Sequence, residues 1–284
     1  KNGISSLKFI KKFKKQGKQG IVGLLNIDDN GNKCVFKISQ TLNYLNIHEY
    51  EIMKSLNYFR NFCPHFCHVY DLKQLSLDLN YKLKDNPLLP ESKYPVDVDI
   101  LLLEYIKGPK LYSFIKNKNV DEKILYSTIK QILLTIQIAQ IKQNFTHYDL
   151  HSCNILMNKC NKNVVFMYII DENNQFCIPT YGYYPKIIDF GFSYSKILDN
   201  NNIWSSLAHT NVGFMTNQFD QITDSKLFLV TISDEIKEYR NNDRSKKFRS
   251  IIKKIFKPLN INFDSGWDNY NRSEANAADC ITNE

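Results

Sequence analysis

Two polar strings set in apolar flanks constrain this chain more than any other feature: T-H-Y-D-L-H-S-C-N-I-L from Thr146 to Leu156, and I-I-D-F-G-F from Ile187 to Phe192. Asp149 and Asn154 stand five residues apart, and Asp189 follows Asn154 by thirty-five, in an apolar run that ends at Gly191. One carboxylate can orient a substrate hydroxyl. An amide and a second carboxylate supply the hard oxygen ligands that Mg2+ on a nucleoside triphosphate requires. That trio suits phosphoryl transfer.

The two strings resemble the catalytic loop H-R-D-x-x-x-x-N and the metal-binding D-F-G of the protein-kinase superfamily. Upstream, C-V-F-K from Cys34 to Lys37 looks like the strand that ends in the nucleotide-binding lysine. Fifteen residues earlier lies Val22, inside G-K-Q-G-I-V-G, which resembles the last part of a glycine-rich loop; Gly17 and Gly20 are present, and Lys15 stands where the first glycine would be. In H-E-Y-E-I-M-K-S-L, Ile52, Met53 and Leu56 follow Glu49 at helical spacing. The resemblance makes Glu49 the partner of Lys37, with Glu51 the alternative. The stretch D-I-L-L-L-E-Y-I-K-G resembles the strand leading into a hinge. By that likeness Leu103 flanks adenine, and the backbone of Glu104 and Ile106 bonds the purine edge.

Taken singly, each residue has a plainer reading. Lys37 would be a solvated strand lysine, Glu49 a surface charge, and Asp149 and Asn154 turn residues. Order and distance along the chain argue for the joint reading. The resemblance implies an α+β, two-lobed, protein-kinase-like fold with a small β-rich N-lobe over residues 1–106 and an abbreviated helical C-lobe over 107–284. It also implies an ATP- and Mg2+-dependent phosphotransferase acting on Ser or Thr of proteins. Lys37 would hold the α- and β-phosphates, Glu49 would orient Lys37, Gly17, Gly20 and Val22 would line the nucleotide, Asp149 would receive or orient the hydroxyl proton, and Asn154 and Asp189 would bind metal.

Departures from the family pattern qualify that reading. Tyr148 replaces the loop arginine that reads a phosphorylated activation segment. His151 replaces a lysine and looks like the H-x-D-L-H-x-x-N of aminoglycoside and choline kinases. No A-P-E follows D-F-G. A small-molecule kinase is therefore one alternative, and a pseudokinase serving as a binding or virion module is another. Asp224, heading an apolar stretch, resembles the aspartate that braces the catalytic loop. Divergent kinases of large cytoplasmic DNA viruses are nearest in flavour.

Composition is compatible with this. The chain has 284 residues, 43 % of them apolar, enough for a sizeable core. Net charge is +8, with seven lysines in the first eighteen residues; nucleic-acid binding is weighed and not favoured. Seven cysteines suggest no disulfide framework, so a reducing, cytoplasmic compartment is expected, with packaging in a virion left open. No apolar run approaches the eighteen or so residues of a membrane span. Strands are expected near Gly20–Asn26, Lys33–Ser39, Val69 and Ile100–Tyr105, with helices over Asn46–Leu56 and Asp121–Gln143. Asp78–Pro95 reads as an exposed insertion. Val164–Ile170 and Gln175–Ile178, around D-E-N-N, read as an inserted hairpin. In C-P-H-F-C-H, Cys63, His65, Cys67 and His68 raise zinc, which is not favoured without a second Cys/His pair at finger spacing.

Overall fold

A computed structural model describes residues 8–13, 20–27, 31–39, 43–77, 96–198, 209–210, 213–214 and 218–259. The fold is mixed α+β and divides into two compact units: Lys1–Asn61 with Cys67–Tyr105, and Phe62–Phe66 with Ile106–Glu284. Gly17 and the Asp78–Pro95 stretch lie outside the described residues.

Among its described residues, the first unit is one antiparallel sheet with one α-helix. Its strands are β1 (Lys8–Lys12), β2 (Gly20–Asn26), β3 (Lys33–Ser39), β4 (Val69–Leu77) and β5 (Val96–Glu104), in the order β1-β2-β3-β5-β4. Alternation of side chains gives the sheet two distinct faces. Ile21, Leu25, Cys34, Phe36, Ile38, Val98, Ile100 and Leu102 form a buried cluster on one face. On the other face, register aligns Val22, Lys37 and Leu101 in one row and Leu24, Val35 and Leu103 in the next. Helix α1 (Asn43–Leu56) packs with Ile52, Met53 and Leu56 buried, and its buried Asn46 donates to the carbonyls of Lys37 and Asp99 at 3.3 and 2.7 Å. Gly23 has no room for a Cβ, which would meet the Lys11 carbonyl and the Phe36 ring.

The second unit is mainly helical. Helix α2 (Leu111–Lys116) precedes α3 (Glu122–Gln143), which is capped by the Asp121 side chain on the Lys123 N–H and ends at Asn144 in the left-handed conformation, φ 45°. α3 has the length and mean hydropathy, 1.2, of a membrane-crossing helix. Its apolar stripe, from Leu125 to Ala139, is buried, and that is the pattern of a core helix. After the loop come β6 (Ile155–Lys159), β7 (Val165–Ile169), β8 (Gln175–Pro179) and β9 (Tyr183–Ile187). β6 pairs with β9 and β7 with β8, each antiparallel, and the β7–β8 pair is the expected hairpin, inserted between β6 and β9 in the chain. Its turn is closed by Asp171, whose Oδ1 accepts from the N–H groups of Asn173 and Asn174. Gly108 is needed because β6 passes against it: a Cβ there would overlap the Met157 carbonyl. Helix α4 (Thr223–Tyr239) is buried along most of its length, and α5 (Asp243–Phe256) lies on the surface behind a capping box of Asn242 and Ser245.

Candidate active site

In the first unit, Lys37 Nζ and Glu49 Oε2 are 2.6 Å apart, with side chains 11 % and 1 % exposed. Glu51 instead faces Lys54 at 3.7 Å on the partly exposed side of α1. The reason is geometric: two residues along a helix turn the side chain by about 200°, so only one of the two glutamates can share the face of Ile52, Met53 and Leu56. Asn46 is on that face too and ties α1 to the backbones of β3 and β5. Sequence reasoning missed it, although a polar residue one turn before Glu49 on an apolar stripe was the available signal. Burying an ion pair costs several kcal/mol of desolvation per ion, so such a pair is weak evidence for stability. Val22, Val35 and Leu103 are half-buried on the Lys37 face. Gly20 opens β2. The Glu104 N–H is taken by the His68 carbonyl at 2.8 Å, and the Cys67 thiol lies 3.9 Å from the Glu104 carbonyl.

The second unit holds Ile106, Asp149, Asn154 and Asp189. Asp224, fully buried in the first turn of α4, accepts the N–H groups of His147 and Tyr148 at 2.7 and 2.9 Å. Burial pushes its carboxyl up to about 7, against those two bonds, which favour the carboxylate. His147 is also fully buried. Its Nδ1 accepts from the Asp149 N–H at 3.2 Å and its Nε2 donates to the Ile188 carbonyl at 3.2 Å. That requires the neutral ring, and burial lowers its pKa accordingly. One imidazole thus fastens the backbone beside Asp149 to the backbone beside Asp189. A third tie runs from the Ile188 N–H to the Asn154 carbonyl at 3.0 Å.

Asp149 is held from two sides. Asn154 Nδ2 donates to its carbonyl at 3.0 Å and to its Oδ2 at 2.8 Å, while His151 Nε2 stands 3.4 Å from Oδ1. His151 Nδ1 accepts from the Cys153 N–H, so the proton of the neutral ring sits on Nε2, facing Asp149. Burial and the bond accepted from the Cys153 N–H both favour the neutral ring, whereas the Asp149 carboxylate and the Cys153 side chain favour the charged one and raise its pKa to about 10. The Asn154 amide orientation follows from its surroundings, since both acceptors demand Nδ2. Its Oδ1 is therefore the atom left for a cation. An amide oxygen and a carboxylate are the hard donor set that suits Mg2+, which takes one or two protein oxygens plus phosphate oxygens. Among the described residues no three His, Cys, Asp or Glu groups converge as a self-sufficient metal cage.

Two non-glycine residues of this loop system adopt left-handed backbone: Tyr148 at φ 61° and Asp189 at φ 68°. Such conformations are rare and collect at functional sites. Tyr148 is compensated by its buried ring and by its hydroxyl, which donates to the Gln218 carbonyl at 2.6 Å. Below the loop, Ser152 donates to the buried Glu235 of α4 at 2.6 Å, a support with no sequence signal.

The Cys/His cluster forms no such centre. Cys63 approaches Thr135, and His68 Nδ1 bonds Asn57. His65 is fully buried: its Nδ1 donates to the Pro185 carbonyl at 2.9 Å, and its Nε2 accepts from the Tyr168 hydroxyl at 2.7 Å. Stacked on Tyr168 and edge-on to Phe166, it anchors the inner face of the β7–β8 hairpin. Burial lowers the His65 pKa from 6.5 to about 4. The unfolded chain then binds the extra proton first, so stability from this residue is full above about pH 6.5 and falls away toward about pH 4. The loss amounts to about 3 kcal/mol. Melting curves of the parent and of His65→Phe across that range check this: the variant starts less stable and shows a flatter acid slope. Parallel slopes would remove His65 as the source.

No family profile matches the chain. It is similar to the uncharacterized protein 098R of Invertebrate iridescent virus 6, 31 % identical over 94 % of this chain and 55 % of the relative. It is 30 % identical to the uncharacterized protein 038R of Invertebrate iridescent virus 3, over 82 % of this chain and 43 % of that protein. The chain thus spans about half the length of these relatives. A third similarity, 31 % identity over 33 % of this chain and 17 % of the relative, is to a protein of Invertebrate iridescent virus 3 named as a probable kinase.

Proposed function

We propose that the chain is a protein-kinase-like phosphotransferase that uses ATP and Mg2+, with a protein Ser or Thr hydroxyl as acceptor. The observation that carries this reading is the buried Lys37–Glu49 ion pair, set on the sheet face that also bears Val22, Val35 and Leu103. In this reading those apolar side chains and the strand opened by Gly20 receive the nucleotide, with Gly17 preceding it. Lys37, held by Glu49, binds the α- and β-phosphates. Glu104 and Ile106 offer backbone groups to the purine. Asp149, oriented by Asn154 and His151, receives or directs the hydroxyl proton. Asn154 and Asp189 would hold Mg2+, which when bound neutralises phosphate charge. The residues supply positioning and charge, which is most of what phosphoryl transfer needs. The iridovirus relative named as a probable kinase supports the coarse class.

A second reading, a small-molecule kinase, is favoured by His151 beside Asp149. Transfer of labelled phosphate from ATP to a protein panel, run beside aminoglycosides and choline, separates the two. No transfer to either set, with nucleotide binding intact, would favour the pseudokinase alternative.

Activity should not need phosphorylation of the segment after Gly191. The position of the family arginine holds Tyr148, whose hydroxyl is engaged with Gln218, and without a guanidinium there the charge-assisted pairing that powers such a switch is missing. Phosphatase-treated protein is expected to keep turnover within about a few-fold of the untreated protein. A collapse would show that another basic group reads the segment.

A further inference from the structure

We propose that the outer face of α5 is a docking surface for an anionic lipid bilayer. The helix reads D-R-S-K-K-F-R-S-I-I-K-K-I-F, with Asp243 its only acid against Arg244, Lys246, Lys247, Arg249, Lys253 and Lys254. Ser245, Ile252 and Phe256 are buried and seat it on the second unit. On the opposite side, helical spacing gathers Arg244, Lys247, Ile251, Lys254 and Ile255 within an arc of about 100°. The two isoleucines, one turn apart, are 48 % and 53 % exposed. Lys247, Lys254 and the following Lys257 are exposed around them. The two ion pairs at the start of the helix, Arg244 with Glu122 and Lys246 with Asp243, are both 3.7 Å long and their basic side chains are 73 % and 63 % exposed. Such pairs are screened and leave most of the positive field in place.

Charge complementarity calls for a polyanion, and the isoleucines choose which. Against nucleic acid, Arg and Lys would meet phosphates, but two branched apolar side chains at the centre of the face would have no counterpart. At a bilayer, the same isoleucines reach the acyl boundary while the lysine stems run along them to anionic headgroups. The inference is independent of the catalytic reading, since no residue of α5 belongs to that site.

The test is co-sedimentation of the full chain with vesicles of phosphatidylcholine, with and without phosphatidylserine, beside binding to duplex DNA. Binding is expected to be at least about tenfold tighter to the phosphatidylserine vesicles and to weaken with salt. Lys247→Glu with Lys254→Glu should cost about tenfold or more. Ile251→Ser with Ile255→Ser should weaken vesicle binding by a similar factor and leave DNA binding unchanged, while Ile251→Trp with Ile255→Trp should tighten it. Melting curves report whether the serine variant folds; if it does not, the tryptophan and glutamate variants decide. Equal binding to both vesicle types, no vesicle binding, or DNA binding tighter than vesicle binding and indifferent to the isoleucines would overturn the proposal.

Discussion

The Asp189→Asn chain is expected to lose phosphoryl transfer by at least about three orders of magnitude while remaining folded, because a neutral amide is a poorer Mg2+ ligand than a carboxylate. The backbone argues that the variant folds. Asp189 adopts φ 68°, a region Asn tolerates as readily as Asp. The neighbouring ties, from His147 to the Ile188 carbonyl and from the Ile188 N–H to Asn154, are made by other residues. Labelled-ATP transfer at saturating Mg2+, with melting as a control, measures the effect. Removing divalent ions with a chelator should silence the parent likewise. Undiminished turnover in the variant would take Asp189 out of the chemistry.

Lys37→Met should lower transfer by about two to three orders of magnitude, the scale of removing one preorganised charge from a developing anion. It also takes the Lys37 ammonium away from Glu49, 1 % exposed, and breaking a buried pair by removing one partner costs about 3–5 kcal/mol. Stability and chemistry are therefore confounded in the single variant. Lys37→Met combined with Glu49→Gln separates them: thermal stability should largely return, because no buried charge is left alone, while transfer stays low. If transfer returned with stability, Lys37 would be a structural residue and the reading of this site would fail.

The sequence made much of the scaffold legible because period and spacing are local properties. The strands at Gly20–Asn26 and Lys33–Ser39 lie where turn residues bound their apolar runs, and the helix ending at Leu56 and the one ending at Gln143 follow the 3.6-residue rhythm. The helix over 43–56 starts three residues before the expected Asn46, and β5 starts at Val96 instead of Ile100. Ends are set by packing and pairing, which a local pattern does not carry. The resemblance placed Asp224 under the loop, but not the hydrogen bonds through which it acts.

By itself, then, the sequence determined the order and spacing of Lys37, Glu49, Asp149, Asn154 and Asp189, the amphipathic face shared by Glu49, Ile52, Met53 and Leu56, and the hairpin around Asp171. Tertiary structure alone decided the rest. It turned Glu49 and not Glu51 toward Lys37, because α1 can bury only one face against the sheet. It used the two N–H groups of Asn154 on Asp149 and so kept Oδ1 as the acceptor left over. It separated the partners in the Cys/His string, giving His65 to the core beneath the hairpin. It left Ile251 and Ile255 exposed among lysines, because Ile252 and Phe256 already fill the contact of α5 with its unit. Apart from the bonds of Asn154 to Asp149, five positions away, these choices were made by partners more than ten positions away in the chain or on the opposite face of the same helix.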